Sequence, residues 1–223
     1  MTTRVGRAPP NAGPEPLEWS LVSPSMTAAG SGSLDELLAE LEGIAEERRL
    51  PVVSNLLPGA DADQLTQARD LVNGDLPDDV ERLYLWHRGV EGYRNDASFF
   101  PGFFGGPGLP YVGITELAES LKVLGRLLAG PSYGVEHFQS GDIPLFESQF
   151  ELIVFRVSTG QVHVFDMEEP GSLVLPSLSD LLRLVVRLWR TDAFWVDRDE
   201  DISFLESTHA LVGPEIQHYR ARS

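Results

Sequence analysis

Two short apolar runs joined by three turn residues restrict this chain more than any other stretch. Glu151-Leu152-Ile153-Val154-Phe155-Arg156-Val157 is rich in β-branched and aromatic residues, Ser158-Thr159-Gly160 can turn tightly, and Gln161-Val162-His163-Val164-Phe165-Asp166 returns. That pattern predicts an antiparallel hairpin. Leu173-Val174-Leu175 offers a third, short strand, so the region from Ile143 to Leu175 reads as a β-meander. Helical patterns precede it and one follows it. Helices, then strands, then a helix is an α+β order, unlike the alternation of a doubly wound sheet.

The first helix is announced by Ser33-Leu34-Asp35-Glu36, a capping box, with Leu34, Leu37, Leu38, Leu41 and Ile44 at helical spacing and Pro51 as its end. Asp61-Ala62-Asp63-Gln64 opens a second, with Leu65, Ala68, Leu71 and Val72 inward and Gly74 as its stop. The third, Leu76 to Gly89, has Pro77 suited to the first helical position and Asp78 and Asp79 at the positive end of the dipole. Gly89 after Trp86-His87-Arg88 suits a left-handed C-terminal cap. Val80, Leu83, Tyr84 and His87 form its inner stripe, which Leu85 and Trp86 widen, so burial over much of its surface is expected. Thr115 can cap a fourth helix, and Ser177-Leu178-Ser179-Asp180 caps a last one whose far side carries Arg183, Arg187 and Arg190. That arginine line is expected to be solvated and paired with nearby acids.

The chain of 223 residues has 34 acidic and 17 basic side chains, a net charge of −17. Such a surface repels nucleic-acid phosphates and anionic lipid and attracts basic partners. With no cysteine, disulfides, thiolate metal sites and cysteine nucleophiles are excluded. No apolar run reaches the roughly 18 residues of a membrane span, and residues 1–32 lack the apolar stretch of a secretory signal. A soluble, cytoplasmic protein is expected.

No catalytic constellation emerges. The five histidines stand in no His-Glu-x-x-His frame, no Gly-x-Ser-x-Gly elbow is present, and Gly102 to Gly108 lacks the Gly-Lys-Ser/Thr ending of a phosphate loop. Neighbouring carboxylates are too common in so acidic a chain to signal acid–base chemistry. We therefore expect no catalytic residue, no metal and no cofactor. Aromatics in the loops, among them Tyr93 and Phe103, are of the type enriched at protein interfaces.

Three segments together resemble the SUKH superfamily, the SMI–KNR type domain. They are Leu76 to Gly89, opening Leu-Pro and closing on glycine; Ile143-Pro144-Leu145-Phe146 leading into the strand at Leu152; and the turn at Gly160 with its return strand, followed by Leu178 to Trp189. Many relatives carry Asn-Gly-Gly where this chain has His87-Arg88-Gly89. The resemblance covers about Pro58 to Trp195 and implies a mostly antiparallel sheet flanked by helices. Its matched positions Leu76, Pro77, Trp86 and Gly89 look structural.

The expected organisation is a disordered tail at 1–32, a helical extension at 33–57, the SUKH-like domain at 58–196 and an acidic extension at 197–223. Bacterial members of that superfamily are commonly immunity proteins that neutralise a cognate polymorphic toxin. The resemblance thus implies a non-catalytic binding domain that occludes a basic toxin of nuclease or deaminase type. The surface expected to do this comprises Tyr93, Asp96, Phe103, Glu147, Glu151, Asp166, Glu168 and Glu169. A regulatory or scaffold module without a toxin is the alternative, and an unrecognised enzyme the third.

Overall fold

Four consecutively paired antiparallel strands organise the molecule, whose structure is a computed structural model. It describes residues 32–91, 98–100, 109–129, 138–148, 151–166, 171–190, 194–196 and 202–204. Among these, the helices are α1 (Leu34–Glu47), α2 (Ala62–Leu71), α3 (Asp78–Trp86), α4 (Ile114–Ala129) and α5 (Leu178–Arg190), with a 3-10 turn at Pro51–Asn55. The strands are β1 (Ser98–Phe100), β2 (Leu109–Pro110), β3 (Asp142–Glu147), β4 (Glu151–Arg156), β5 (Gln161–Asp166), β6 (Gly171–Leu175), β7 (Phe194–Val196) and β8 (Ile202–Phe204). The fold is α+β, an antiparallel sheet flanked by helices.

The meander β3-β4-β5-β6 is antiparallel throughout. Ile153 faces Val164 and Phe155 faces Val162, and these join Leu173 and Leu175 in the main core with α1, α3 and α5. One residue out of step, Leu152, Val154 and Phe165 meet Leu124 of α4 and Phe138 on the other side. Both faces are therefore covered, and every residue of β4 is buried. That explains its nearly continuous apolar sequence. The expected turn closes the β4–β5 hairpin, with Gly160 at φ +72°.

α5 lies between the sheet and α1, and buries Leu181, Leu182, Val185, Leu188 and Trp189 almost completely. Each such side chain is worth about 1.5–3 kcal/mol of transfer free energy. The segment 33–57, expected as an appended helix, instead supplies Leu34, Leu37, Leu38 and Leu41 to the same core as the sheet. At the other end, β8 pairs with β7 and so crosses the expected boundary at 196/197.

The starts of α1 and α2 follow their sequence signals. Ser33 and Glu36 form the reciprocal capping box, as do Asp61 and Gln64. In α2 the Asp61 carboxylate accepts from the Gln64 amide at 2.9 Å and the Gln64 side chain accepts from the Asp61 amide at 3.0 Å. Asp61→Ala is expected to lower stability by about 1 kcal/mol, read as a shift in the urea midpoint. α4 begins at Ile114, so Thr115 lies inside its first turn and is not its cap, and α2 turns at Asn73, φ +58°, ahead of Gly74.

α3 departs from expectation at both ends. Pro77 is its N-cap and not its first residue, and the helix stops at Trp86, with His87 already extended. Gly89 is no left-handed helix cap: its φ of +150° serves a close approach to Gly113. Leu85 is half exposed, so the buried stripe is narrower than its apolar residues suggest.

Candidate partner-binding surface

Charge is concentrated on the first three helices. Residues 33–91 hold 14 acidic side chains against 5 arginines. Asp35, Glu36, Glu46 and Glu47 on α1, and Asp61, Asp63 and Asp70 at α2, are exposed. Two of the arginines serve to stitch the helices together. Arg69 reaches Glu81 at 2.7 Å, joining α2 to α3, and Arg82 reaches Asp35 at 3.5 Å, joining α3 to α1. The exposed Arg82–Asp35 pair adds little stability.

The end of α3 forms the most elaborated polar junction of this layer. Trp86 Nε1 donates to Glu42 at 3.0 Å, and the Trp86 and His87 rings meet edge to face at 4.4 Å. His87 Nδ1 lies 2.8 Å from the Leu57 carbonyl oxygen, so that nitrogen carries the proton. Its Nε2 stands 3.6 Å from Glu42. The Tyr111 hydroxyl donates to the His87 carbonyl at 2.9 Å. Every one of these contacts fixes the turn out of α3.

Beneath the junction the backbone is crowded. Residues 55–60 run beside 84–91: Ala60 N–H donates to Tyr84 O, Arg88 N–H to Pro58 O, Leu57 N–H to Gly89 O and Glu91 N–H to Asn55 O. On the far side Ile114 N–H donates to Arg88 O at 2.8 Å. Glu116, in the first turn of α4, folds back so that its carboxylate would lie 2.7 Å from a Cβ placed on Gly113. Burial pushes the Glu116 carboxyl above its ordinary range, against a smaller opposing effect of its own backbone N–H. Burial, helped by Glu116, likewise raises the Tyr84 and Tyr111 hydroxyls well above theirs.

A carboxyl that holds its proton more tightly folded than unfolded stabilises fully below the unfolded value, about pH 4.3. That contribution is lost as pH rises through the higher folded value. Glu116→Gln is therefore expected to raise the thermal midpoint at pH 7. Repeating the melt at pH 4 should find the two proteins closer together, and a gap that widens on acidification would contradict the assignment.

Of the eight residues expected to bind a partner, three lie among the described residues: Glu147, Glu151 and Asp166. Tyr93, Asp96, Phe103, Glu168 and Glu169 lie outside the described residues. Glu151 is a correction: it is only 1% exposed. Its position in β4 has the parity of Ile153 and Phe155, which point into the main core, so a partner cannot reach it. Asp166 is its register partner on β5. Glu147 pairs with Leu152 and so belongs to the opposite face, partly exposed, with its Oε2 buried and lacking a hydrogen-bond partner. No protein-family model matches the chain, and no curated protein does.

Two arrangements were not foreseen. Arg156 and Asp142 form a buried two-point ion pair, Nε to Oδ1 at 3.0 Å and Nη2 to Oδ2 at 2.9 Å, and the Gln139 amide donates to the same Oδ2 at 3.0 Å. The second is the set of exposed acids on α1 and at α2, among them Asp35, Glu46, Asp63 and Asp70. The arginines of α5 behave as expected where partners are defined: Arg183 pairs with Asp180 at 2.9 Å, and Arg190 with Glu40 of α1. Among the described residues no group of three or more acidic or histidine side chains could hold a metal. No helix there is long and apolar enough to cross a membrane.

Proposed function

We propose that this chain is a non-catalytic protein-binding domain of the SUKH type, an immunity protein of the cytoplasm that neutralises a basic toxin domain by covering it. The observation that carries the reading is the excess of exposed acids on α1 and α2, set on helices that a single core holds in place. Opposite charge steers association and raises the on-rate. Nucleases and deaminases need basic clefts to hold nucleic acid, so an acidic rigid surface competes for the same cleft. The α+β frame, with its meander and closing helix, is consistent with the resemblance carried by Leu76 to Gly89 and by the strands.

The test is co-expression with a toxin encoded beside it, scored by growth rescue and by binding kinetics. The wild-type chain should rescue. Reversing Glu46, Glu47, Asp63 and Asp70 together to lysine should slow association at least tenfold and flatten its salt dependence. Lack of binding and rescue for every toxin encoded nearby would reject the immunity reading in favour of a regulatory module. An unchanged on-rate in the reversed variant would remove the helices from the interface.

A further inference from the structure

The two edges of the four-stranded sheet are finished differently. At the β3 edge Tyr111 bridges to Phe146, and Val112 N–H donates to Leu145 O at 2.8 Å. Pro144 sits within β3, and a bulge falls between Pro144 and Phe146. Proline, bulges and covering segments are the usual means of closing an edge to further pairing. Among the described residues β6 has none of them. Its sequence, Gly171-Ser172-Leu173-Val174-Leu175, contains no charge and no proline, and among the described residues it pairs with β5 alone. Leu173 and Leu175 are fully buried in the main core, so the strand is held rigidly while its outer backbone groups face away from β5. Pro176, which lacks an N–H, ends the usable stretch.

We infer that β6 is a docking edge that accepts an extended segment of a basic protein partner as a fifth strand. This rests on the reading of the chain as a partner-binding domain and adds the mode of contact. Backbone hydrogen bonds supply the affinity in such strand addition, and side chains at alternate positions select the partner. The net charge of −17 favours a basic partner over a second copy of this chain, which would bring the same charge. A five-residue strand pairing with its twin also buries far less than the roughly 1,200 Å² of a stable interface. A partner strand can add its own basic surface to the contact and so reach the acids of α1 and α2.

The probe is a fluorescent ten-residue peptide alternating valine with arginine, titrated into the full chain at about 0.15 M salt, where exposed charges are screened beyond about 8 Å. Its control has the same sequence and charge but is methylated at every backbone nitrogen. The unmodified peptide should bind at least tenfold more tightly and slow amide exchange at Gly171 to Leu175. Equal affinity for the two peptides, protection confined to other elements, or no binding would overturn the proposal. Protection of β6 without peptide, together with a doubled mass, would replace it with self-pairing. Growth rescue is scored separately. A chain that rescues but treats both peptides alike loses this edge and keeps its immunity role, whereas one that distinguishes them without rescuing does the reverse.

Discussion

Gly59→Ala is expected to destabilise the chain by about 3 kcal/mol or more. A Cβ built on Gly59 would fall on the carbonyl oxygen of Leu85, with the Leu85 carbonyl carbon at 3.0 Å. Both are backbone atoms of the last turn of α3, so no side chain can swing aside. The segment cannot retreat without giving up the Ala60-to-Tyr84 and Arg88-to-Pro58 hydrogen bonds at 2.9 and 3.2 Å. Gly113→Ala should behave similarly, since its Cβ would meet Gly89 Cα at 2.5 Å and Arg88 O at 2.6 Å. The contrast lies in α1: Gly43 is exposed, with nothing within 4 Å of an added Cβ. There alanine should stabilise by about 0.5–1 kcal/mol, because glycine loses more backbone freedom on folding. Urea unfolding of the three variants reads all of this, and a Gly59→Ala midpoint near that of the wild type would show that the α3 junction is loosely packed.

Asp142→Ala carries the second large effect, an expected loss of about 3–5 kcal/mol. The substitution leaves Arg156, whose side chain is 9% exposed, with its charge buried and its two-point partner gone. It also removes the acceptor of the Gln139 amide. The penalty arises from keeping the Arg156 charge buried without this carboxylate more than from losing a favourable pair. Asp142→Leu combined with Arg156→Met should therefore recover most of the loss, since well-packed apolar groups of similar volume often replace buried pairs without cost. A double variant as unstable as the single one would mean that the pair selects the β3 register, a role no apolar substitute fills.

What could be read in advance is what local chemistry decides. The capping residues Ser33 and Asp61 act on amides three positions away, and Ser177 holds the Asp180 amide at 3.2 Å, so each motif is complete within one turn. The β4–β5 hairpin is similarly self-contained. Misreadings occur where distant segments meet. Gly89 looks like a helix cap until Gly113 is brought against it, and Leu85 has the spacing of a core residue but no neighbour to bury it. The Asp142–Arg156 pair depends on a β3 register displaced by a bulge, which hydrophobic alternation does not encode. Glu151 is different. It shares the parity of Ile153 along the strand, a signal that its charge outweighs in a reading of the sequence alone.

The packing of α1 on α5 has a consequence for synthesis. The Leu34–Leu41 stripe is among the first parts of the core to be translated, and the helix that covers it ends at Arg190. At about 5–20 residues per second the ribosome needs about eight to thirty seconds to span that interval. For that time a greasy helix waits without its mate, in a chain whose remaining core also depends on α5. Slow translation or truncation before Arg190 would thus yield an aggregation-prone nascent chain, whereas its acidic excess, much of it already present by Glu91, keeps such chains apart.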